Sequence, residues 1–241
     1  MVDNAVPQNK LDEFIKRARQ AAGANLESAI LYGSAVSGDY HPDHSNLNLL
    51  CILRDTSFSA LQALAPLSKW WDSQKQPPPL FMNHSELASS SDVFPIELMD
   101  MLQHHRILFG ENVLAGLQVS PQLHRTQVEY ELREKLILLR QHVTLASEDD
   151  RRLRELLLRS VSSIVTLFRH AHIALGNPPL PKRDAVQALS KQLKFDPSAI
   201  NQALDIREKR LDAGKLNIKD LFSRYLAAVE QVIAAVDQAV Y

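Results

Sequence analysis

The chain has 241 residues, 45% of them apolar and 23% charged, which is enough apolar material for a buried core without disulfides or a structural metal. That composition excludes disorder, a collagen-like repeat and a disulfide scaffold, and 37 leucines against 8 phenylalanines and 7 glycines predict a helix-rich protein. The formal net charge of -1 speaks against non-specific nucleic-acid binding, yet it conceals a step: residues 1–118 carry 8 basic and 13 acidic side chains, residues 119–241 carry 19 and 15. The step and the length together point to two domains, 1–118 and 119–241. The start MVDNAVPQNK has no apolar run of the kind a secretory signal needs, and no stretch approaches the roughly 18 apolar residues of a membrane span. Cys51 is the single cysteine and has nothing to bridge to. A cytoplasmic protein with no membrane association is expected.

In chain order, Leu11, Phe14, Ile15, Ala18 and Ala22 recur at spacings of three and four and predict an amphipathic helix over 10–22 that stops near Gly23. The apolar runs 26–32 and 47–53, separated by turn residues, predict two buried strands. Ser57 is placed to cap a helix through Phe58, Leu61, Leu64 and Leu67, with Trp70 and Trp71 at its end as anchors for a contact, before SQKQPPP breaks it. A short third strand is expected at 80–82. Residues 94–108 predict another helix, with Pro95 in its first turn and Gly110 just beyond its end. From 119 onward every element reads as helix. One stripe runs from Val128 to Val143, Ser147 caps a second helix carrying Leu153 to Phe168, two shorter helices follow with Asp196 capping the latter, and Asn217 caps a final long one. The fold class is therefore α+β: a small mixed sheet with helices, then an all-α bundle.

The stretch AILYGSAVSGDYHPDHSNLNLLCIL, residues 29–53, carries the chemistry. A strand ends in Gly33-Ser34, Gly38 follows, and Ser45-Asn46-Leu47-Asn48-Leu49 opens the next strand. This pattern resembles the active-site module of the nucleotidyltransferase superfamily related to DNA polymerase beta, which includes aminoglycoside nucleotidyltransferases and small bacterial two-domain members. The runs DVFPIELMD and RILFGENVL, at 92–114, are similar to the later helix and Gly-Glu turn of the bacterial members. The resemblance spans about residues 10–118. It implies a nucleotidyltransferase-like domain in which Gly33 and Ser34 bind the triphosphate, with the nucleotide in a cleft between the two domains.

The physics of such a module is clear. Backbone amides at a tight turn cradle phosphate, and two alternate carboxylates on one strand hold two divalent ions between attacking and leaving oxygens. Here the resemblance puts Asn46 and Asn48 at the two acidic positions, and the run LFMN at 80–83, where a third acid is implied, contains none. An amide is isosteric with a carboxylate but neutral, and a hard ion such as magnesium is held chiefly by anionic oxygens. The alternative metal ligands are Asp39 and Asp43 in the intervening loop, beside His41 and His44, and Glu86 farther on.

Two readings follow. In the first, the chain is a pseudoenzyme: a nucleotide- or ligand-binding, regulatory or protein-interaction module with no catalytic residues and no required cofactor. In the second, it is an active transferase that uses magnesium and a nucleoside triphosphate and moves a nucleoside monophosphate onto a small-molecule hydroxyl or a protein. A protein partner or a homo-oligomer through the helical half is also open, whereas nucleic acid is not expected. Elsewhere, His104 and His105 are adjacent and diverge on the expected helix, and no histidine lies at the Arg-x(4-6)-His spacing of HEPN ribonucleases, despite Arg169, His170 and His172. The runs RRLR at 151–154 and REKR at 207–210 read as solvated helix faces.

Overall fold

The computed structural model describes residues 6–37 and 45–239, so Gly38, Asp39, His41, Asp43 and His44 lie outside the described residues. The chain separates into two compact units, Met1–Ser120 and Pro121–Tyr241.

In the first unit, α1 (Gln8–Ala22) leads into β1 (Leu26–Tyr32), a single turn α2 (Ser34–Ser37) follows at once, and β2 (Asn48–Leu53) returns antiparallel beside β1. The expected helix after Ser57 is two helices, α3 (Phe58–Ala63) and α4 (Ala65–Ser73). Pro66 lacks the N–H that would continue α3 and instead fits the first turn of α4. Then come β3 (Leu80–Met82), α5 (His84–Ser89), α6 (Pro95–Gln103) and β4 (His105–Gly110). The sheet order is β3-β2-β1-β4, with β3 parallel to β2 and β4 antiparallel to β1. The expectation of helix through 108 is corrected here: α6 ends at Gln103, His104 adopts φ -136° and ψ 84°, and the chain runs on as an edge strand.

Both faces of the sheet are covered, which is why its central strands read as continuous apolar runs. On one face Leu11 and Phe14 of α1 and Trp71 of α4 pack with Ala29, Leu31, Leu49 and Cys51; Phe14 and Trp71 meet edge-on at 4.8 Å between ring centres. On the other, Ile30, Leu50 and Ile52 meet Leu87 of α5 and Leu98 and Met101 of α6. Burial pushes the Cys51 thiol up to about 12, so it behaves as a small apolar side chain.

The second unit is a helical bundle: α7 (Pro121–Ala146), α8 (Asp150–Ala174), α9 (Lys182–Leu193), α10 (Ser198–Arg207) and α11 (Ile218–Asp237). Asn217 caps α11 as expected, its Oδ1 accepting from Asp220 N at 3.1 Å. Asp149 rather than Ser147 caps α8, accepting from the N–H groups of Arg151 and Arg152. Among the described residues no helix is long and apolar enough to cross a membrane.

One buried polar cluster sits within the bundle. The Arg169 guanidinium has only donors, so His170 Nε2, 3.3 Å away, accepts; His170 Nδ1 then donates to His124 Nε2 at 2.9 Å. Nearby on the same helix His172 is buried, and that burial holds its imidazole below the ordinary range, with the Pro178 carbonyl acting in the opposite direction. The unfolded chain takes up this proton near pH ~6.5 while the folded chain takes it up only at lower pH. Stability is therefore level above that value and falls as pH drops below it. The protection factors of the α8 amides, observed exchange corrected for its intrinsic pH dependence, are expected to fall between about pH 7.5 and about pH 5, and less so in His172→Phe. An equal fall in the variant would contradict this origin.

Candidate functional site

The site grows from the end of β1. Gly33 adopts φ +80°, a conformation that L side chains rarely take, and turns the chain from Tyr32 directly into α2. Its carbonyl accepts from Val36 N at 2.9 Å and Ser37 N at 3.1 Å, and Ser34 is the first helical residue. Across the ladder Tyr32 pairs with Asn48, the first residue of β2. A Cβ on Gly33 would lie 2.9 Å from Asn48 Nδ2, so the torsion favours glycine and the Asn48 amide is seated against the turn.

The structure thus brings Gly33, Ser34 and Asn48 together. Asn46 lies before the strand and is exposed, with the fully buried Leu47 between the two asparagines and the Leu47 N–H donating to Gln76 Oε1 at 2.7 Å. Only Asn48 is therefore a strand residue, although the alternation around Leu47 persists. Tyr32 closes the same region: burial raises its phenol above the ordinary value, and the Glu97 carboxylate on α6 adds to the rise. Neither Tyr32 nor Glu97 stands out in the sequence, because the β1–β2 register and the position of α6 bring them there.

Of the acid-bearing alternatives, Glu86 alone lies among the described residues, and it is engaged elsewhere. In the register of β2 and β3, Leu80 lies beside Leu50 and Met82 beside Ile52, so the strand next to Asn48 offers no carboxylate. Glu86 belongs to the capping box of α5. Its Oε2 accepts from Asn83 N at 2.7 Å, its own N–H donates to Asn83 Oδ1 at 2.8 Å, and α5 follows the end of β3 that pairs with Ile52, away from Asn48. Among the described residues no group of three or more His, Cys, Asp or Glu side chains could hold a metal ion. Among the described residues, Asn46 and Asn48 offer only neutral amides, which do not fit a two-ion centre built on anionic oxygens. His104 ends α6 and His105 opens β4, its Nδ1 2.8 Å from the Met101 carbonyl, so the two serve the helix-to-strand junction.

No protein-family model matches the chain, and no curated protein matches it. A solved structure does, over most of both chains: the spectinomycin adenyltransferase AAD(9) from Enterococcus faecialis, crystallised with ATP and spectinomycin, is 15% identical over 92% of this chain and 99% of that one, with a TM-score of 0.57. The chain has a nucleotidyltransferase fold. In this fold the Gly33-Ser34 turn leads directly into the short helix α2, and Asn48 at the start of β2 meets the turn.

Proposed function

We propose that this protein is a nucleotide-binding module of the nucleotidyltransferase fold that performs no metal-dependent transfer, and that it acts through binding, as a regulatory or interaction subunit. The observation that carries the reading is Asn48, a neutral amide seated against Gly33 where a transferase of this kind needs an anionic metal ligand. The left-handed turn at Gly33-Ser34 retains the local geometry for close approach of a phosphate. That the neighbouring structure was solved with ATP supports a nucleotide as the ligand class.

The test is direct. The full chain, shown to be folded, is incubated with each of ATP, GTP, CTP and UTP, with magnesium or manganese, and with spectinomycin or another hydroxylated acceptor. No pyrophosphate release above the nucleotide blank is expected. The competing reading, favoured by the adenyltransferase named for the neighbour, is an active enzyme. Acceptor-dependent pyrophosphate release would establish it and overturn the proposal.

A further inference from the structure

The sheet has one long edge that no other strand covers among the described residues. β4 pairs with β1 on one side only, and Arg106 and Ile107 are exposed along it. Such an edge presents a row of backbone N–H and C=O groups able to pair with a further strand. Beside it runs a groove formed by α1 and β4, in two contiguous parts of about 800 Å³ and 320 Å³ that share Asp12 and Ile15. Lys16, Arg19, Arg54 and Arg106 line this groove against the single carboxylate of Asp12, which already accepts from Gln8 Nε2 at 2.7 Å.

Among the described residues Arg19 and Arg106 make no ion pair, while Lys16 reaches Glu13 at 3.9 Å and Arg54 Nε pairs with Glu27 at 2.8 Å. Arg19 is instead held over the Phe109 ring at 5.1 Å, which fixes a charge above the strand. The apolar floor of Ile15, Leu26 and Phe109 offers room for alternate side chains of an extended segment.

We infer that the edge of β4 and the α1 groove form a docking site for an extended acidic segment of a partner protein, bound by strand addition. Charge decides the occupant. A second copy of this chain would bring two identical basic grooves to one seam, with like charges opposed, whereas an acidic strand neutralises them. A register shift at Ala29/Ile30, with Phe109 opposite Ala29 and Ile107 opposite Ile30, makes Leu108 a bulge in β4. The bulge divides the edge, so the added strand is short and pairs chiefly along 105–107. The 105–107 part of the edge pairs with Ile30–Tyr32 and so runs beside the Gly33 turn, whereas the part of the groove lined by Arg19 and Phe109 lies toward the Leu26 end of β1.

The test uses the full chain and a labelled peptide, acetyl-TEVEVET-amide, in fluorescence anisotropy, together with hydrogen exchange. Saturable binding that weakens with salt is expected, with slowed exchange in 105–110. Binding should weaken about tenfold or more for the same peptide methylated on alternate backbone nitrogens, for its lysine counterpart, and for the exposed-site variant Arg19→Glu with Arg106→Glu. Absence of binding, or equal binding of the methylated peptide, which would mark charge attraction without strand pairing, overturns the inference. So does concentration-dependent dimerisation that protects 105–110 without any peptide.

Discussion

Gly110→Ala is expected to destabilise the first unit by about 2–5 kcal/mol, which for a unit of this size is a large share of its stability. Gly110 has φ +75°, and forcing an L residue into that region costs about 1–2 kcal/mol. The added Cβ would also run into the backbone carbonyl oxygen of Glu27 and come within 3.0 Å of Ser28 Cα, so the β1–β4 ladder must shift, at about 1–3 kcal/mol more. Backbone cannot rotate away as a side chain can. Ser28, fully buried and donating to the Phe109 and Glu111 carbonyls on either side of Gly110, would lose its alignment at the same time. Both tryptophans, Trp70 and Trp71, belong to this unit, so their fluorescence during urea unfolding reports it separately from the bundle. An unchanged midpoint would show that the edge strand does not hold this register.

The second large effect concerns charge at the candidate site. Asn46→Asp combined with Asn48→Asp should lower stability in the absence of divalent ions by about 1–2 kcal/mol, because two like charges are placed near one turn with no cation between them. Magnesium and nucleotide together should reverse that loss and raise nucleotide affinity about tenfold, since the two new carboxylates and the anionic non-bridging phosphate oxygens would supply the hard ligands that the ion requires. The geometry that makes this possible is the seat of Asn48 against Gly33 and its pairing with Tyr32. Destabilisation that magnesium and nucleotide leave untouched would mean that the two positions no longer face a common site.

Much of the fold was legible because its elements are locally determined. The period-three-and-four stripe of α1, the unbroken apolar runs of β1 and β2, and the Asn217 cap each depend on neighbours in sequence. β4 was not. Ile107 and Leu108 continue the helical spacing of Leu98, Met101 and Leu102, and only pairing with β1, a contact distant in sequence, makes 105–110 a strand. The capping box that starts α5, Asn83 with Glu86, was a readable signal that the candidate-ligand reading of Glu86 obscured. At the site, Gly33, Ser34 and Asn48 were singled out by the family resemblance of residues 29–53, whereas Tyr32 and Glu97 enter through strand register and helix packing that no local pattern encodes.

The measurement that bears most directly on the proposal of nucleotide binding without a metal-dependent centre is a thermal-shift titration of the unaltered chain with ATP, GTP, CTP and UTP, each with and without magnesium. A ligand at 100 times its dissociation constant adds about 2.7 kcal/mol to the folded state, an ample signal. A nucleotide module built on the Gly33 turn and two amides predicts that at least one nucleotide raises the midpoint, as much without magnesium as with it. A rise that appears only when magnesium is present, or no rise with any nucleotide, would contradict it.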